Sequence, residues 1–483
     1  MHRGSKAVLL IDYETGRAHA LCDLFLRTDP DVVVYYGPGH PAIRHSRIVQ
    51  VPDISLTEPQ TAIAFCARTP VDLILVSWIN ALSIGYADVL YSRGLPVIGP
   101  SQRGAELESS KKRGRRFCSD HGIRTPRSRE FDDPAQATAY VRKLPYSVVV
   151  KEDGLTDCGD GVHVCSSPAE AENAIAAIAR RMGSSFSVLV EERHAGIDIS
   201  LLALTDGRSY VMFPAALDYK RCADGDRGKN CDGMGSLAPH PLADVDLYSQ
   251  ATAIFDKVMA GLAAEQIRYN GFIFVGAMLT EDGLVVLELN ARFGDSEAQV
   301  VLPSLRSNFT NLCRAVLQGR LRDTQVDFDG LVRCCVIATQ GNVAPNDPNS
   351  KPGWPFGPYE VGLPIAGIEN IDPTKAVVFL AGTAIDESGR YVTSRGRVLH
   401  VVGFGETVNA AVSNAYTQIQ RISFAGIRYR TDIGRVAPHA PPRRRAAYPA
   451  GSVTAKAQKL KDRTFGSSRS ESGAVPAGDI NAV

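Results

Sequence analysis

A carboxylate, a carboxamide and a guanidinium occur at every second residue in Glu288-Leu-Asn290-Ala-Arg292. The run before them, Val285-Val-Leu, is apolar, so the segment reads as a strand leaving a buried sheet. Alternate residues share one strand face, which points all three side chains the same way. Two hard oxygens beside a fixed cation suit Mg²⁺ held against phosphates, because Mg²⁺ takes few protein oxygens and fills its shell from substrate and water. Mn²⁺ accepts the same oxygen donors. Phe293-Gly294-Asp295 then turns the chain, an arrangement expected to leave Asp295 and Glu297 for a second ligand. An edge strand with a solvated polar face would carry the same spacing.

The elements that must position this row are legible on both sides of it. Lys6–Asp12, residues 31–36, 71–77 and 95–100 read as buried strands with helical stretches between them, which predicts a small parallel α/β domain over residues 1–104. Asp133-Pro134 and Ser167-Pro168-Ala-Glu170 are helix starts with proline at the first helical position, the second with the spacing of a capping box. These helices flank strands at 147–151 and 162–165. Between the strands lies Lys151-Glu-Asp-Gly154-Leu-Thr-Asp-Cys-Gly159-Asp-Gly161, whose three glycines let a backbone close over phosphates. Asp157 and Asp160 in that loop bring negative charge toward the same phosphates. Val188–Glu192 is a further strand. Leu247, Ile254, Phe255, Val258, Met259 and Leu262 keep a helical period and should face a core. Residues 332–338, 377–383 and 396–402 read as strands of a third region, followed by an amphipathic helix from Gly405 to about Ile422.

Glu288-Leu-Asn-Ala-Arg-Phe-Gly-Asp-Ser-Glu297 resembles the metal-binding strand of the phosphoribosylamine–glycine ligase family, ATP-grasp carboxylate–amine ligases of purine synthesis. The resemblance extends from about residue 70 to about 435. It takes in Gly99-Pro-Ser, Leu107-Glu-Ser-Ser-Lys111, the lid loop, Lys220-Arg221, Asn230-Cys-Asp-Gly-Met-Gly235, Arg397 and Tyr429-Arg-Thr-Asp-Ile-Gly434. It implies an ATP-grasp core over 105–325 with a mobile lid at about 122–192, a C-terminal mixed α/β domain over 326–436, and ATP with Mg²⁺ or Mn²⁺ as cofactors. By position it implies Lys111, Lys151, Gly154, Gly159, Gly161, Glu191, Glu192 and Asp198 around ATP, and Glu288 and Asn290 on the metal. Arg292 would act on the reacting phosphate, and Lys220, Arg221, Asp295 and Arg397 would meet the substrates. Without the resemblance, Lys111 would read as a solvated helix lysine among Lys112, Arg113, Arg115 and Arg116.

The N-terminal turn departs from that family. Where it has a small-residue, glycine-rich turn after the first strand, this chain has Asp12-Tyr13-Glu14-Thr15-Gly16-Arg17; where it has Gly-Pro-Glu after the third, this chain has Ser77-Trp78-Ile79-Asn80. A phosphate nest needs N–H groups exposed by small residues, and a free Glu14 would repel a phosphate. The expectation is therefore an acyl-phosphate ligase acting on an amino-acid carboxylate with a non-standard amine in a specialised, antibiotic-type pathway. The alternatives are a housekeeping phosphoribosylamine–glycine ligase, and a nucleotide-binding protein without turnover.

The remaining features set bounds. At 483 residues the chain is long for one core. A net charge of +1 gives no general argument for nucleic acid, and the longest apolar runs are too short for a membrane span. Ten scattered cysteines without a Cys-x-x-Cys pair read as reduced thiols of a cytoplasmic protein. The expected partners are a small-molecule carboxylate and amine, with no nucleic acid and no membrane, on a monomer or homodimer. Residues 437–483, rich in Ala, Pro, Ser and Gly, lack apolar periodicity and should form a disordered tail.

Overall fold

The apolar run Lys6–Asp12 (β1) takes the centre of a parallel sheet, as a strand without polar alternation must when both its faces are covered. In the computed structural model, which describes residues 6–156, 161–341 and 356–435 together with strand residues 453–454, β1 is followed by helix α1 (Gly16–Thr28), β2 (Val32–Pro38) and β3 (Ile48–Gln50). Then come α2 (Pro59–Arg68), β4 (Leu73–Val76), α3 (Ile79–Ser83), α4 (Tyr86–Ser92) and β5 (Val97–Ile98). The strand order is β3-β2-β1-β4-β5, all parallel. Chain direction across the sheet reverses between β1 and β4, which opens a crevice beyond their carboxyl ends, the place where open α/β sheets bind ligands. Tyr13 and Trp78 sit there.

Helices α5 (Gln102–Ser109) and α6 (Lys111–Asp120) lead into a second unit: β6 (Ser128–Phe131), α7 (Pro134–Val141), β7 (Val148–Glu152), β8 (Val162–Cys165), α8 (Pro168–Met182) and β9 (Val188–Glu192). Its sheet order is β6-β9-β7-β8, antiparallel throughout. Both predicted helix starts are present. Asp133 accepts from the Ala135 and Gln136 N–H groups. Ser167 accepts from Glu170 N–H, while the Glu170 carboxylate reaches back to Ser166 N–H, one residue before the usual partner. Gly159 and the two loop acids Asp157 and Asp160 lie outside the described residues.

The core sheet is antiparallel and ordered β11-β10-β16-β17, from β10 (Ile197–Thr205), β11 (Tyr210–Met212), β16 (Gly271–Thr280) and β17 (Gly283–Asn290). Helix α9 (Val245–Ala264) covers one face, and its six predicted core residues are all buried. Between β11 and α9 lie β12 (Leu217–Asp218), the hairpin β13 (Arg221–Ala223) and β14 (Arg227–Asn230), and β15 (Gly235–Ala238). After β17 follow α10 (Glu297–Val301), α11 (Phe309–Leu317), β18 (Gln325–Val326) and β19 (Val332–Gln340). The chain closes with β20 (Ala376–Leu380), β21 (Thr383–Ile385), β22 (Tyr391–Thr393), β23 (Arg397–Gly405), α12 (Val408–Ile419), β24 (Ile427–Arg428) and β25 (Val453–Thr454). The last large sheet runs β12-β15-β19-β23-β20, with β24 on β19. It therefore draws two strands from before residue 326, so the third region does not fold from its own stretch of sequence alone. The segment expected as one strand over 377–383 divides at Ala381-Gly382 into β20 and the hairpin β21–β22. The expected disordered tail lies outside the described residues, apart from β25, which pairs with β18. Among the described residues no helix is long and apolar enough to cross a membrane.

Candidate nucleotide and metal site

Glu288 and Asn290 close β17, and a β-bulge aims them. Gly276 of β16 faces Glu288, but its neighbour Ala277 faces Val286, so Leu287 is an extra residue in the ladder. Gly276 also clears the path of the carboxylate: a Cβ there would lie 2.8 Å from Glu288 Cγ. Burial would raise the Glu288 carboxyl, but Lys220, Lys151, Lys111 and Arg292 together hold it below the usual range. A carboxylate ringed by four cations is ionised and attracts a metal–polyphosphate in which charges of both signs are already combined. Asn290 is 9% exposed and its Nδ2 meets no protein acceptor. Among the described residues no group of three or more His, Cys, Asp or Glu side chains could hold an ion. Two protein oxygens with the rest of the shell left open fit Mg²⁺ and not a closed protein cage.

The surrounding cations come from four elements. Lys111, at the start of α6, donates 2.6 Å to the Gly154 carbonyl at the mouth of the lid loop, and burial lowers its pKa. Gly154 has φ +120° with open space where a Cβ would point, and Gly161 packs on Thr156. Lys151 on β7 lies 2.7 Å from Glu191 and donates to the Leu287 carbonyl at 3.0 Å. Lys220 lies 3.6 Å from Asp198, and that carboxylate is the main reason its pKa is raised. Arg292 has left the strand and pairs with Glu108 at 2.8 Å. Glu108 also accepts from Ala291 N–H at 2.7 Å, fixing the chain directly after Asn290.

Several expected site residues are committed elsewhere. The Glu191 carboxylate is buried between Arg115 and Lys151 and does not reach outward, while Glu192 pairs with the exposed Arg127. Arg221 lies on the β13–β14 hairpin and holds the Gly228 carbonyl. Asp295 and Glu297 are not free for a second ligand: Asp295 pairs with Arg397 at 3.4 Å and binds Gln299, and Glu297 accepts from Ser200 at 3.0 Å. Arg397 also donates to the Asp232 and Asp295 carbonyls, so its guanidinium anchors the turn at 295. Asp218, on β12, is a residue the sequence reading missed. Burial first, and the nearby Glu297 second, raise its carboxyl well above the usual range, and its Oδ1 has no hydrogen-bond partner.

The basic helix around Lys111 is solvated only in part, with Arg116 exposed. Lys112 and Arg115 are buried, with Lys112 on Asp132 and the Phe131 carbonyl of β6. Their spacing of three, continued by the buried Cys118, puts them on one side of the helix, a signal present in the sequence. At the amine end, Glu14 pairs with Arg395 at 3.2 Å, so its charge is neutralised and does not stand free to repel a phosphate. Arg395 lies over Tyr13, Tyr13 packs against Trp78 at 5.0 Å between ring centroids, and Arg17 lies beyond Trp78. In the turn that leads into α1, Tyr13 N–H is bonded to Asp12, and at the third helical position Ala18 N–H is bonded to the Thr15 hydroxyl.

A seam behind the site joins α1, the turn at 295 and β23. His400 Nδ1 meets Gln299 Nε2 at 2.6 Å and lies 3.7 Å from Asp295. A Cβ on Gly16 would come within 2.1 Å of that ring, which is why the seam needs glycine there. Burial would raise the Asp295 carboxyl, yet Arg397, His400 and Arg17 hold it down at about 2. Burial lowers His400 to about 4 and His19, also in the seam, to about 3. The folded state thus holds both imidazoles neutral; their stabilising share is complete above pH 6.5 and is lost as pH falls from there through about 4 for His400 and about 3 for His19. Asp295 acts lower, losing its share between pH 3.8 and 2. We expect the urea midpoint to fall between pH 7 and pH 4.5, and His400→Gln to flatten that slope. An identical slope in the variant would remove His400 from the cause.

Three family models match in the order of this chain: the N domain of phosphoribosylglycinamide synthetase over residues 6–108, its ATP-grasp domain over 109–298 and its C domain over 350–436. The chain belongs to the phosphoribosylglycinamide synthetase family. A phosphoribosylamine–glycine ligase of Clostridium acetobutylicum is 32% identical over 424 residues, 87% of this chain and 97% of that one. One from Nostoc is 36% identical over the same shares. The phosphoribosylamine–glycine ligase structure from Thermotoga maritima superposes with a TM-score of 0.71 at 28% identity, covering 88% of this chain and all of that one. The biotin carboxylase domain of Hydrogenobacter thermophilus 2-oxoglutarate carboxylase, solved with MgADP, shares the fold at a TM-score of 0.64 and 15% identity, covering 87% and 91%. As a phosphoribosylglycinamide synthetase family member, the chain is an ATP-grasp carboxylate–amine ligase, forming carbon–nitrogen bonds. The expected antibiotic pathway finds no support among these relatives; a further one, 34% identical over 426 residues, is the trifunctional purine biosynthetic protein adenosine-3 of Gallus gallus.

Proposed function

We propose that this chain is a phosphoribosylamine–glycine ligase that uses ATP and Mg²⁺. The reading is carried by the Glu288–Asn290 pair among four cations, in a chain that matches all three family domains in order. Bound at Glu288 and Asn290, Mg²⁺ supplies Lewis-acid charge to the polyphosphate. Lys111 and Lys151 reach the phosphates from α6 and the lid, and Lys151 exchanges its bond to the Leu287 carbonyl for a phosphate oxygen. Arg292, held by Glu108, faces the transferred group. Glycine's carboxylate takes the terminal phosphoryl group, the amine attacks the resulting acyl phosphate, and an amide, ADP and phosphate leave. The protein's part is positioning and charge neutralisation; no side-chain nucleophile is required.

The amine end favours a second reading at the level of substrate. The stack Arg395–Tyr13–Trp78–Arg17 occupies the crevice beyond β1 and β4, and the Tyr13 and Ala18 N–H groups on either side of the turn into α1 already have partners. This supports an amine smaller or less charged than phosphoribosylamine. One experiment separates the readings: glycine and ATP with phosphoribosylamine generated in situ, beside a panel of unphosphorylated amines. Glycinamide ribonucleotide formed at a turnover near 1 s⁻¹ or above, ordinary for an enzyme, supports the first reading. ADP release with another amine and none with phosphoribosylamine rejects it for the second.

A further inference from the structure

We infer that Arg115 is the positioning residue that aims the metal-binding carboxylate Glu288 and ties it to the hinge strand of the lid. The side chain is 8% exposed and its donors reach both β17 and β9. Nη1 donates to the Val286 carbonyl at 3.1 Å and Nη2 to the Leu287 carbonyl at 3.0 Å. Nε donates to Glu191 on β9 at 2.9 Å, and Nη2 meets the same carboxylate oxygen.

Val286 and Leu287 are the two residues of the bulge. An extra residue in a ladder has a carbonyl without its strand partner, and a bulge persists only where something else satisfies it. Arg115 does so from one side, and Lys151 reaches the same Leu287 carbonyl at 3.0 Å. Lys151 is also the cation the lid offers to phosphates. Once it turns to them, Arg115 remains as the donor on the bulge. Without the bulge the alternation would run on from Leu284 and Val286, which lie in the core, and Glu288 and Asn290 would both turn toward that core. Gly276 confirms how closely the carboxylate is steered, since the stem of Glu288 passes over the place where any other residue would carry its Cβ. Only a planar fork can address two successive carbonyls and a carboxylate together; a lysine at this position would reach one of them.

The inference rests on Glu288 as a metal ligand, and the test separates the two. Calorimetric titration of the full-length wild type with ADP alone and with MnADP comes first. If the metal adds no affinity, the assignment of Glu288 fails irrespective of Arg115. If it does, Arg115→Lys should weaken MnADP at least tenfold while metal-free ADP changes less than twofold, with the KM for glycine unchanged. Gly276→Ala, which displaces the same carboxylate from the opposite side without touching the hinge, should reproduce the metal-specific loss. It decides the matter if Arg115→Lys does not fold. Equal loss of ADP and MnADP in Arg115→Lys would show a general role in nucleotide binding, and no loss in either variant would show that the bulge holds itself; both overturn the inference.

Discussion

Glu288→Ala should lower the rate of ADP formation by on the order of 10³-fold or more, beyond the loss typical of a single stabilising hydrogen bond in a reaction centre. Lys111, Lys151, Lys220 and Arg292 all act on this carboxylate. Its removal deletes a metal oxygen and leaves four cations without their shared counter-charge. Added Mg²⁺ then lacks a site, so raising its concentration should not restore the rate. Folding should survive, because no described residue depends on Glu288 for a hydrogen bond. A coupled ADP-release assay across a Mg²⁺ series, with circular dichroism as the folding check, measures this. Turnover within tenfold of wild type would reject the metal assignment.

Asp12→Ala should destabilise the protein by about 3–5 kcal/mol, the cost of leaving one partner of a buried ion pair alone. Asp12 is fully buried and Arg17 nearly so, and the guanidinium meets both carboxylate oxygens at 2.8 and 3.1 Å. The same carboxylate accepts from the Ser77 hydroxyl at 2.7 Å and from Tyr13 N–H, joining the ends of β1 and β4. Arg17 also donates to the Phe293 carbonyl, so the pair ties the N-terminal sheet to the turn after the metal strand. Asp12→Asn keeps an acceptor and should lose less. Urea unfolding at pH 7 reads both. A change under about 1 kcal/mol in Asp12→Ala, small against the usual cost of an orphaned buried charge, would mean that Arg17 re-pairs. Asp295 and Glu108 are near enough to act on it.

The main strands, the helix starts and the metal row were readable from the chain because they depend on local rules. Apolar runs, capping side chains and the two-residue period of a strand act over a few residues, whatever the rest of the protein does. Glu288 and Asn290 fall into this class; Lys111 and Lys151 were legible only through the resemblance to the ligase family, and the structure sets both lysines close enough to act on Glu288. What the chain did not disclose were choices of partner. Glu191, Asp295, Glu14, Lys112 and Arg115 are charged residues whose sequence gives no hint of which opposite charge they meet, since each partner lies at least 20 positions away. Burial makes that choice decisive: an ion taken out of water must be paired, and only the folded arrangement of sheets says with whom. The bulge at Leu287 belongs to the same class. Nothing in Val-Leu-Glu announces an extra residue; it arises from the register against β16 and from an arginine on a helix that arrives from over 150 residues upstream. Local physics therefore settles which elements exist and which residues face the site. Long-range electrostatics and register settle which of those residues remain available to a ligand.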